Sequence, residues 1–525
     1  MRRLPPVHPL ALAVYPVVFL YGENLGEASP GDLVAPLALV LGGTLVLYGL
    51  LRLVLGSATR AALAASLLVV AGLEYGRIAT TLAGTPLSGG RLLVVLALAT
   101  VLLLVLVVRT RRDLAGINRI LDVLSIVLLA VASSGVLAWE VPRAIGSTPA
   151  VTAGGPAPSV AVGGDPATRT KRDIVYIVVE DIGSPRTLVR DYGLTDPHAF
   201  DWLDELGFRV ADRSATNYGK TIHMLASTFN MTYLDELAAK VGTDSSDYHP
   251  LFDLVDDNAV ARFLKGQGYR YIHIGSWWDP TEQSSLADVN YGVSTSSDFL
   301  SAFLDTTVVP EVVDRLPRLG IRLPAGVDPK GASAQYDGAI EGFRRLLEVR
   351  DAPGPKFVFA HILIPHEPFV FNEDGSRVTA AQTRSRTPAE QFLQQALYTN
   401  RRLEEIARAY VDRPEAERPI LIIQTDEGPN PPRFVADEDT FDWRGATDEE
   451  LQIKFGVLNA FFLPDLFDGD AAIEPTMTTV NTFRFVFDRY FGADLPLLPD
   501  RLNQYRDKSH PYDFTDVTER ATPRE

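Results

Sequence analysis

The chain contains no cysteine among its 525 residues, which excludes disulfides, zinc–thiolate sites and a cysteine nucleophile. Basic residues are scarce as well: 49 Lys and Arg face 66 Asp and Glu, a formal net charge of -17. With an isoelectric point near 5.0, nucleic acid is not an expected partner, because phosphate backbones select basic surfaces. Charge of either sign is nearly missing from long stretches of the first 140 or so residues, where Leu, Val and Ala dominate. The mean hydropathy of +0.06 therefore averages two unlike regions. At roughly 150 residues per domain, the length allows two to four domains.

Four apolar runs are long enough, or nearly so, to cross a hydrocarbon core of about 30 Å. They cover roughly Leu33–Leu51, Ala61–Leu82, Leu92–Val108 and Leu124–Trp139. A fifth, Leu10–Tyr21, is short and carries Pro16; a cleaved signal peptide is its alternative reading, although no small-residue cleavage site follows. Loop charges alternate. Arg2 and Arg3 precede the first run, Arg52 and Arg60 follow the second, and Arg109, Arg111, Arg112 and Arg119 follow the fourth. The intervening loops hold Glu23, Glu27 and Asp32, then a stretch with Arg91 as its single base. Positive charge stays inside, so the N-terminus is expected in the cytoplasm and everything beyond Trp139 outside it. Glu74 and Arg77, three apart near an outer membrane face, read as an interfacial ion pair or a polar headgroup contact.

The expected organisation is a five-span helical membrane domain over 1–141, a flexible Pro/Gly/Ala-rich linker over 142–170, and a globular domain over 171–525. In the last, near-continuous apolar runs (IVYIVV, YRYIHIG, KFVFAHILI, ILIIQT, VLNAFFL) alternate with helix-like segments. That pattern predicts an α/β fold with a mostly parallel, doubly wound sheet.

Ligands of such sheets bind beyond the carboxyl ends of the strands. IVYIVV ends in Glu180–Asp181, KFVFA runs into His361 with His366 five residues later, and ILIIQT ends in Asp426–Glu427. Any one acidic pair is readily explained as a loop acid capping the next helix. Four carboxylates at one sheet edge would repel without a cation, and oxygen donors with imidazole suit Mg²⁺, Mn²⁺ or Zn²⁺. The run NYGKTIHMLASTFNM supplies a nucleophile: Gly219 permits a tight turn and Thr221 falls at the start of a helix, where N–H groups hold phosphate. A bound metal would make the Thr221 hydroxyl a competent attacker, with Lys220 adding charge. Ser214, Thr216 and Ser227 are rival hydroxyls, and a plain helix cap is the alternative role for Thr221.

These residues resemble the alkaline phosphatase and sulfatase superfamily, in particular the membrane-anchored lipoteichoic acid synthases and lipid A phosphoethanolamine transferases. The resemblance implies Glu180 and Asp181 as metal-binding acids, Thr221 as nucleophile, and Asp426–Glu427 where the family has an Asp-His pair. His361 and His366 are similar to paired histidines of the transferases, the later of which helps bind substrate or a second metal; His366 would protonate the leaving alkoxide or orient the donor, and His361 would help bind substrate. Lys454 falls where a further histidine precedes an apolar strand and, like Lys220, is expected to bind substrate. Glu427 in place of histidine shifts the implied metal towards Mn²⁺, Mg²⁺ or Ca²⁺ and away from Zn²⁺. The transferases' disulfides are impossible here, and a threonine nucleophile argues against formylglycine chemistry. The implied activity is transfer of a phospho-headgroup from a membrane lipid donor to an envelope glycan or lipid. Hydrolysis of phosphate or sulfate esters and a non-catalytic envelope binding role are the alternatives.

Overall fold

The computed structural model describes residues 6–88, 90–145, 171–292, 298–313, 315, 332–438, 440–466, 469 and 472–522. Two compact units form: Met1–Ala150 with Ser296–Gly331, and Val151–Thr295 with Ala332–Glu525. Most of the expected linker, 146–170, lies outside the described residues.

The first unit is helical: α1 His8–Glu23, α2 Val34–Leu55, α3 Ala58–Leu73, α4 Tyr75–Thr81, α5 Gly90–Arg109 and α6 Ala115–Ala144. Among the described residues, three helices are long and apolar enough to cross a membrane, and four if α3 and α4, bent by 49°, form one broken span. Their large apolar side chains point outwards, Leu53 and Val54 above 80 % exposed, as a lipid solvent demands and water does not. The expected count of five is not reached, because α1 has only 16 residues. It nevertheless runs along α6 in the same direction. Asp122 Oδ1 accepts from the Val7 and His8 amides (2.8 and 2.9 Å), and Tyr21 donates to Glu140 (2.5 Å). Those contacts are about 27 Å apart along α6 at 1.5 Å per residue.

The bend between α3 and α4 has an identifiable cause. A continuous helix would bond the Gly76 amide to the Gly72 carbonyl. Here Gly76 N–H donates to Thr306 O (2.9 Å), and Gly72 O accepts from Val308 N–H (2.7 Å). A segment expected from the sequence to lie in the globular domain has opened one turn and satisfied both halves. Helix Asp298–Asp305 precedes this insertion and buries Phe299 and Phe303 among Val17, Tyr21, Val40 and Val69. Glu74 and Arg77 pair at 3.7 Å beside the break, the guanidinium lying over Phe19.

The second unit is built on a seven-stranded sheet: β1 Ile174–Val179, β2 Arg209–Val210, β3 Arg270–Ile274, β4 Val289–Tyr291, β5 Lys356–Ile362, β6 Ile420–Thr425 and β7 Asn459–Phe462. The order is β2-β7-β6-β1-β5-β3-β4. Strands β4, β3, β5, β1 and β6 are parallel, and β7 and β2 close one edge antiparallel. Every residue of β1, β5 and β6 is buried, because helices cover both faces. Ile174, Tyr176 and Val178 pack on the side of helices Thr221–Asn230 and Thr482–Phe491, while Val175, Ile177 and Val179 pack on that of Ala332–Val349 and Pro388–Val411. Two-sided burial removes the polar alternation of a half-exposed strand and leaves the apolar runs seen in the sequence.

Packing at the helix break and on β3 can be tested directly. A Cβ on Gly76 would sit 2.4 Å from Asp305 O, whereas one on Gly72 meets nothing within 4 Å. Gly76→Val should cost about 1–3 kcal/mol and expose 298–313 to protease, and Gly72→Ala should stay within about 0.5 kcal/mol, both read by thermal unfolding in detergent. On β3, His273 is buried between Tyr271 Oη and Thr281 O, and burial depresses its pKa to about 4. Its neutral form contributes stability that is complete above pH 6.5 and is lost at about 1.4 kcal/mol per unit as pH falls towards 4. The melting temperature of His273→Gln should therefore fall less steeply over that range.

Candidate metal centre and nucleophile

Parallel register brings the chemistry together. Val178 lies opposite His361, and Val179 lies opposite both Ile362 and Thr425, so Glu180 and Asp426 leave adjacent strands at the same level. One donor atom each from Glu180, His361 and Asp426 falls within 4.8 Å of the others, and all three residues are buried. His361 Nδ1 pairs with Thr281 Oγ1 (2.8 Å), and its Nε2 lies 3.5 Å from Glu180 Oε1. Nothing in the run surrounding Thr281 signals this orienting role in advance.

The electrostatics suit a cation. Burial, then the charges of Asp181 and Glu427, raise the Glu180 carboxyl well above its ordinary range. Burial, then Glu180, does the same to Asp426. Burial holds His361 neutral, its pKa lowered to about 3, which leaves an imidazole lone pair available. His361 Nε2, Asp181 Oδ1 and Glu427 Oε2 are buried and have no hydrogen-bond partner among the described residues. Buried polar atoms are rarely left this way, and two carboxylates with a neutral imidazole form a donor set that fits a divalent metal.

The ligand-capable group differs from the expected one. It contains His361, read from the sequence as a substrate contact, and among the described residues it does not extend to Asp181 or Glu427. Asp181, at φ 56°, turns the chain after β1, and its amide donates to Asp426 Oδ1 (3.2 Å). Glu427 instead pairs with the buried Lys454, Oε1 to Nζ 2.8 Å, and the same ammonium donates to Asn430 (2.5 Å). Lys454 thereby acts as a fixed internal counter-charge. Its ammonium is held against burial by Glu427 and Asp181, which keep its pKa above the usual lysine value.

Thr221 is the first residue of helix Thr221–Asn230, and its Oγ1 donates to Asp426 Oδ2 at 2.7 Å. Its hydroxyl is thus turned to the acids and is not capping the helix. Gly219 serves close approach: its φ is not left-handed, yet a Cβ would stand 2.2 Å from Gln504 Oε1. The rival hydroxyls are elsewhere: Ser214 donates to Met477 O, Thr216 to Tyr218 O, and Ser227 lies two turns along the helix. Lys220 donates to Tyr248 Oη (3.1 Å) and rests over that ring. His366 is half-buried, with Nδ1 2.6 Å from the Glu367 carbonyl. Burial opposes its protonation, but Asp181 and that carbonyl outweigh it, so its pKa lies above the usual imidazole value.

No family model matches the sequence, and no curated protein matches it. Among solved structures, the fold is similar to the C-terminal periplasmic domain of EcEptC from Escherichia coli in complex with Zn, at 13 % identity and TM-score 0.41, covering 67 % of this chain and 94 % of that one. It is also similar to a putative sulfatase from Bacteroides thetaiotaomicron (10 % identity, TM-score 0.38, 64 % and 78 % covered). A protein in the alkaline phosphatase superfamily from Vibrio parahaemolyticus matches at 14 % identity and TM-score 0.37, with 65 % and 74 % covered. At these scores the likeness transfers no residue role.

Removing one half of a buried ion pair strands the other. Lys454→Met should cost about 3–5 kcal/mol, and adding Glu427→Gln should recover most of it, as read from denaturation midpoints of the single and double variants.

Proposed function

We propose that the chain is a membrane-anchored, metal-dependent phosphotransferase that moves a phospho-headgroup from a lipid donor to an envelope glycan or lipid through a phosphorylated Thr221. The observation that carries this reading is the 2.7 Å hydrogen bond from Thr221 Oγ1 to Asp426, itself one of three buried residues able to hold a cation. Glu180, His361 and Asp426 would hold the metal, which when bound lowers the hydroxyl pKa and neutralises phosphoryl oxygens.

In the first half-reaction, Thr221 Oγ forms a bond to phosphorus as the ester O–P bond breaks. The Thr221 proton leaves along its hydrogen bond to Asp426. The departing alkoxide takes a proton from His366, whose raised pKa keeps that proton available near neutrality. In the second half, neutral His366 takes the proton of the acceptor hydroxyl, whose oxygen displaces Thr221 Oγ; Asp426 returns the proton to threonine. The N–H groups at the start of helix Thr221–Asn230, where no side chain caps the end, support the phosphoryl oxygens. Lys454 keeps Glu427 paired and so limits the negative charge that meets the phosphate.

Loop charge supports the orientation: Arg109, Arg111, Arg112 and Arg119 flank the junction of α5 and α6, the pattern of a cytoplasmic junction with the chain beyond α6 outside, whether or not α1 crosses.

Incubation with headgroup-labelled phospholipid should place label on Thr221 and pass it to an added acceptor. Thr221→Ala should lower turnover by at least ~10³-fold, the scale for removing a nucleophile that works as part of a unit. Asp426→Asn should lose divalent metal by elemental analysis. Undiminished turnover by Thr221→Ala would overturn the reading, and free headgroup as the only product would make the enzyme a hydrolase.

A further inference from the structure

Behind His361 lies a buried network of hydroxyls and backbone groups with no part in phosphoryl transfer itself. Strand β3 is followed by a loop from Gly275 that leads into the short helix Asp279–Glu282. A Cβ on Gly275 would stand 2.0 Å from Glu282 O and 2.9 Å from Thr281 O, so glycine is what lets this helix fold back against the strand end. Thr281 O accepts from the Ser276 amide (3.1 Å) and from His273 Nε2 (2.9 Å), which must carry a proton because a carbonyl only accepts. With its backbone held in this way, Thr281 places Oγ1 2.8 Å from both Ser276 Oγ and His361 Nδ1. Ser276 Oγ also accepts from Trp278 N–H (3.1 Å) and lies 3.4 Å from Trp278 O. Ser276, Thr281 and His361 are each at most 2 % exposed.

We propose that Ser276 and Thr281 are positioning residues, a hydroxyl relay that keeps the His361 proton on Nδ1 and so presents the Nε2 lone pair to the cation. The relay rests on the metal-dependent reading above and adds to it the groups that ready one ligand. Its direction follows from counting, since a hydroxyl has one proton and two acceptor positions. When Nδ1–H donates to Thr281 Oγ1, Thr281 donates to Ser276 Oγ, and the Ser276 proton turns to Trp278 O. Every donor in the chain then has an acceptor. In the reverse order Ser276 donates to Thr281, Thr281 donates to Nδ1, and the imidazole proton moves to Nε2. There it is a buried donor with no hydrogen-bond partner among the described residues, Glu180 Oε1 at 3.5 Å being too far. A buried donor left unmade is costly, whereas a lone pair at the same point is what a divalent cation takes up. Trp278 meets the imidazole edge-on (ring centroids 5.9 Å) and Phe359 stacks beside it (6.4 Å), which opposes a ring flip that would exchange the two nitrogens.

Full-length protein in nanodiscs, stripped of metal and labelled with ¹⁵N-histidine, reports the tautomer by NMR, with the His361 signal assigned by its loss in His361→Gln. Titration with Mn²⁺ followed by EPR reports the consequence, and neither measurement depends on turnover. Wild-type His361 should carry its proton on Nδ1 before metal is added. Thr281→Val removes the hydroxyl and should weaken Mn²⁺ binding by ~10-fold or more, the scale for losing the outer partner of a histidine ligand, while Thr281→Ser should restore it. Ser276 makes no hydrogen bond to His361, yet Ser276→Ala should move the proton to Nε2 and weaken Mn²⁺ binding, because Thr281 then has only Nδ1 to donate to. A proton on Nε2 in the wild type, or unchanged Mn²⁺ affinity in Thr281→Val, would refute the relay and leave the phosphotransfer reading standing. Wild-type protein that takes up no Mn²⁺ would sink the metal centre, and the relay with it.

Discussion

Charge repulsion in a buried space is the constraint around which the second unit is organised. Strands β5, β1 and β6 lie side by side and in parallel, so the residues at their carboxyl ends converge at one edge. Glu180 and Asp426 are both buried there, and burial, reinforced by neighbouring carboxylates, penalises both ionised forms. Three things make the arrangement tolerable. His361 contributes a neutral donor, Thr221 donates a hydrogen bond to Asp426, and Lys454 absorbs the charge of Glu427. The remaining deficit is one of positive charge at a point bounded by Glu180, His361 and Asp426, which is what a divalent cation supplies.

That arrangement divides labour among acids that look alike in the sequence. Asp426 faces two ways, accepting from the Asp181 amide and from Thr221, so the proposed nucleophile and the candidate cation site share one carboxylate. Glu427, its immediate neighbour, is turned towards helix Asp448–Phe455, where its Oε1 pairs with a lysine. An internal ammonium cannot dissociate as an ion can. The site thus keeps one positive charge, that of Lys454, fixed by the fold.

The membrane unit obeys a different rule, in which every backbone group must find a partner away from water. The break between α3 and α4 would leave Gly72 O and Gly76 N–H unpaired, and the segment around Thr306–Val308 completes both. Gly76 is needed there because a side chain would occupy the space of the inserted backbone. A stretch far beyond the last apolar helix in the chain therefore belongs structurally to the helices, and helix Asp298–Asp305 holds it there by burying two phenylalanines.

Much of this was legible in the linear chain. Apolar runs without polar alternation marked β1, β5 and β6 as doubly buried strands, and acids at their ends marked the candidate site, because backbone periodicity and burial act locally. The apolar helices were equally plain, α1, at 16 residues, covering the shortest of the expected runs. Partner choice was not legible. Whether Glu427 binds a metal or a lysine, whether Gly219 turns the chain or admits Gln504, and which residue orients His361 all depend on groups tens or hundreds of residues away. The insertion of 298–313 into the helical unit was hidden for the same reason. Composition decides that a segment must be buried or satisfied, whereas the packing of distant elements decides what buries and satisfies it.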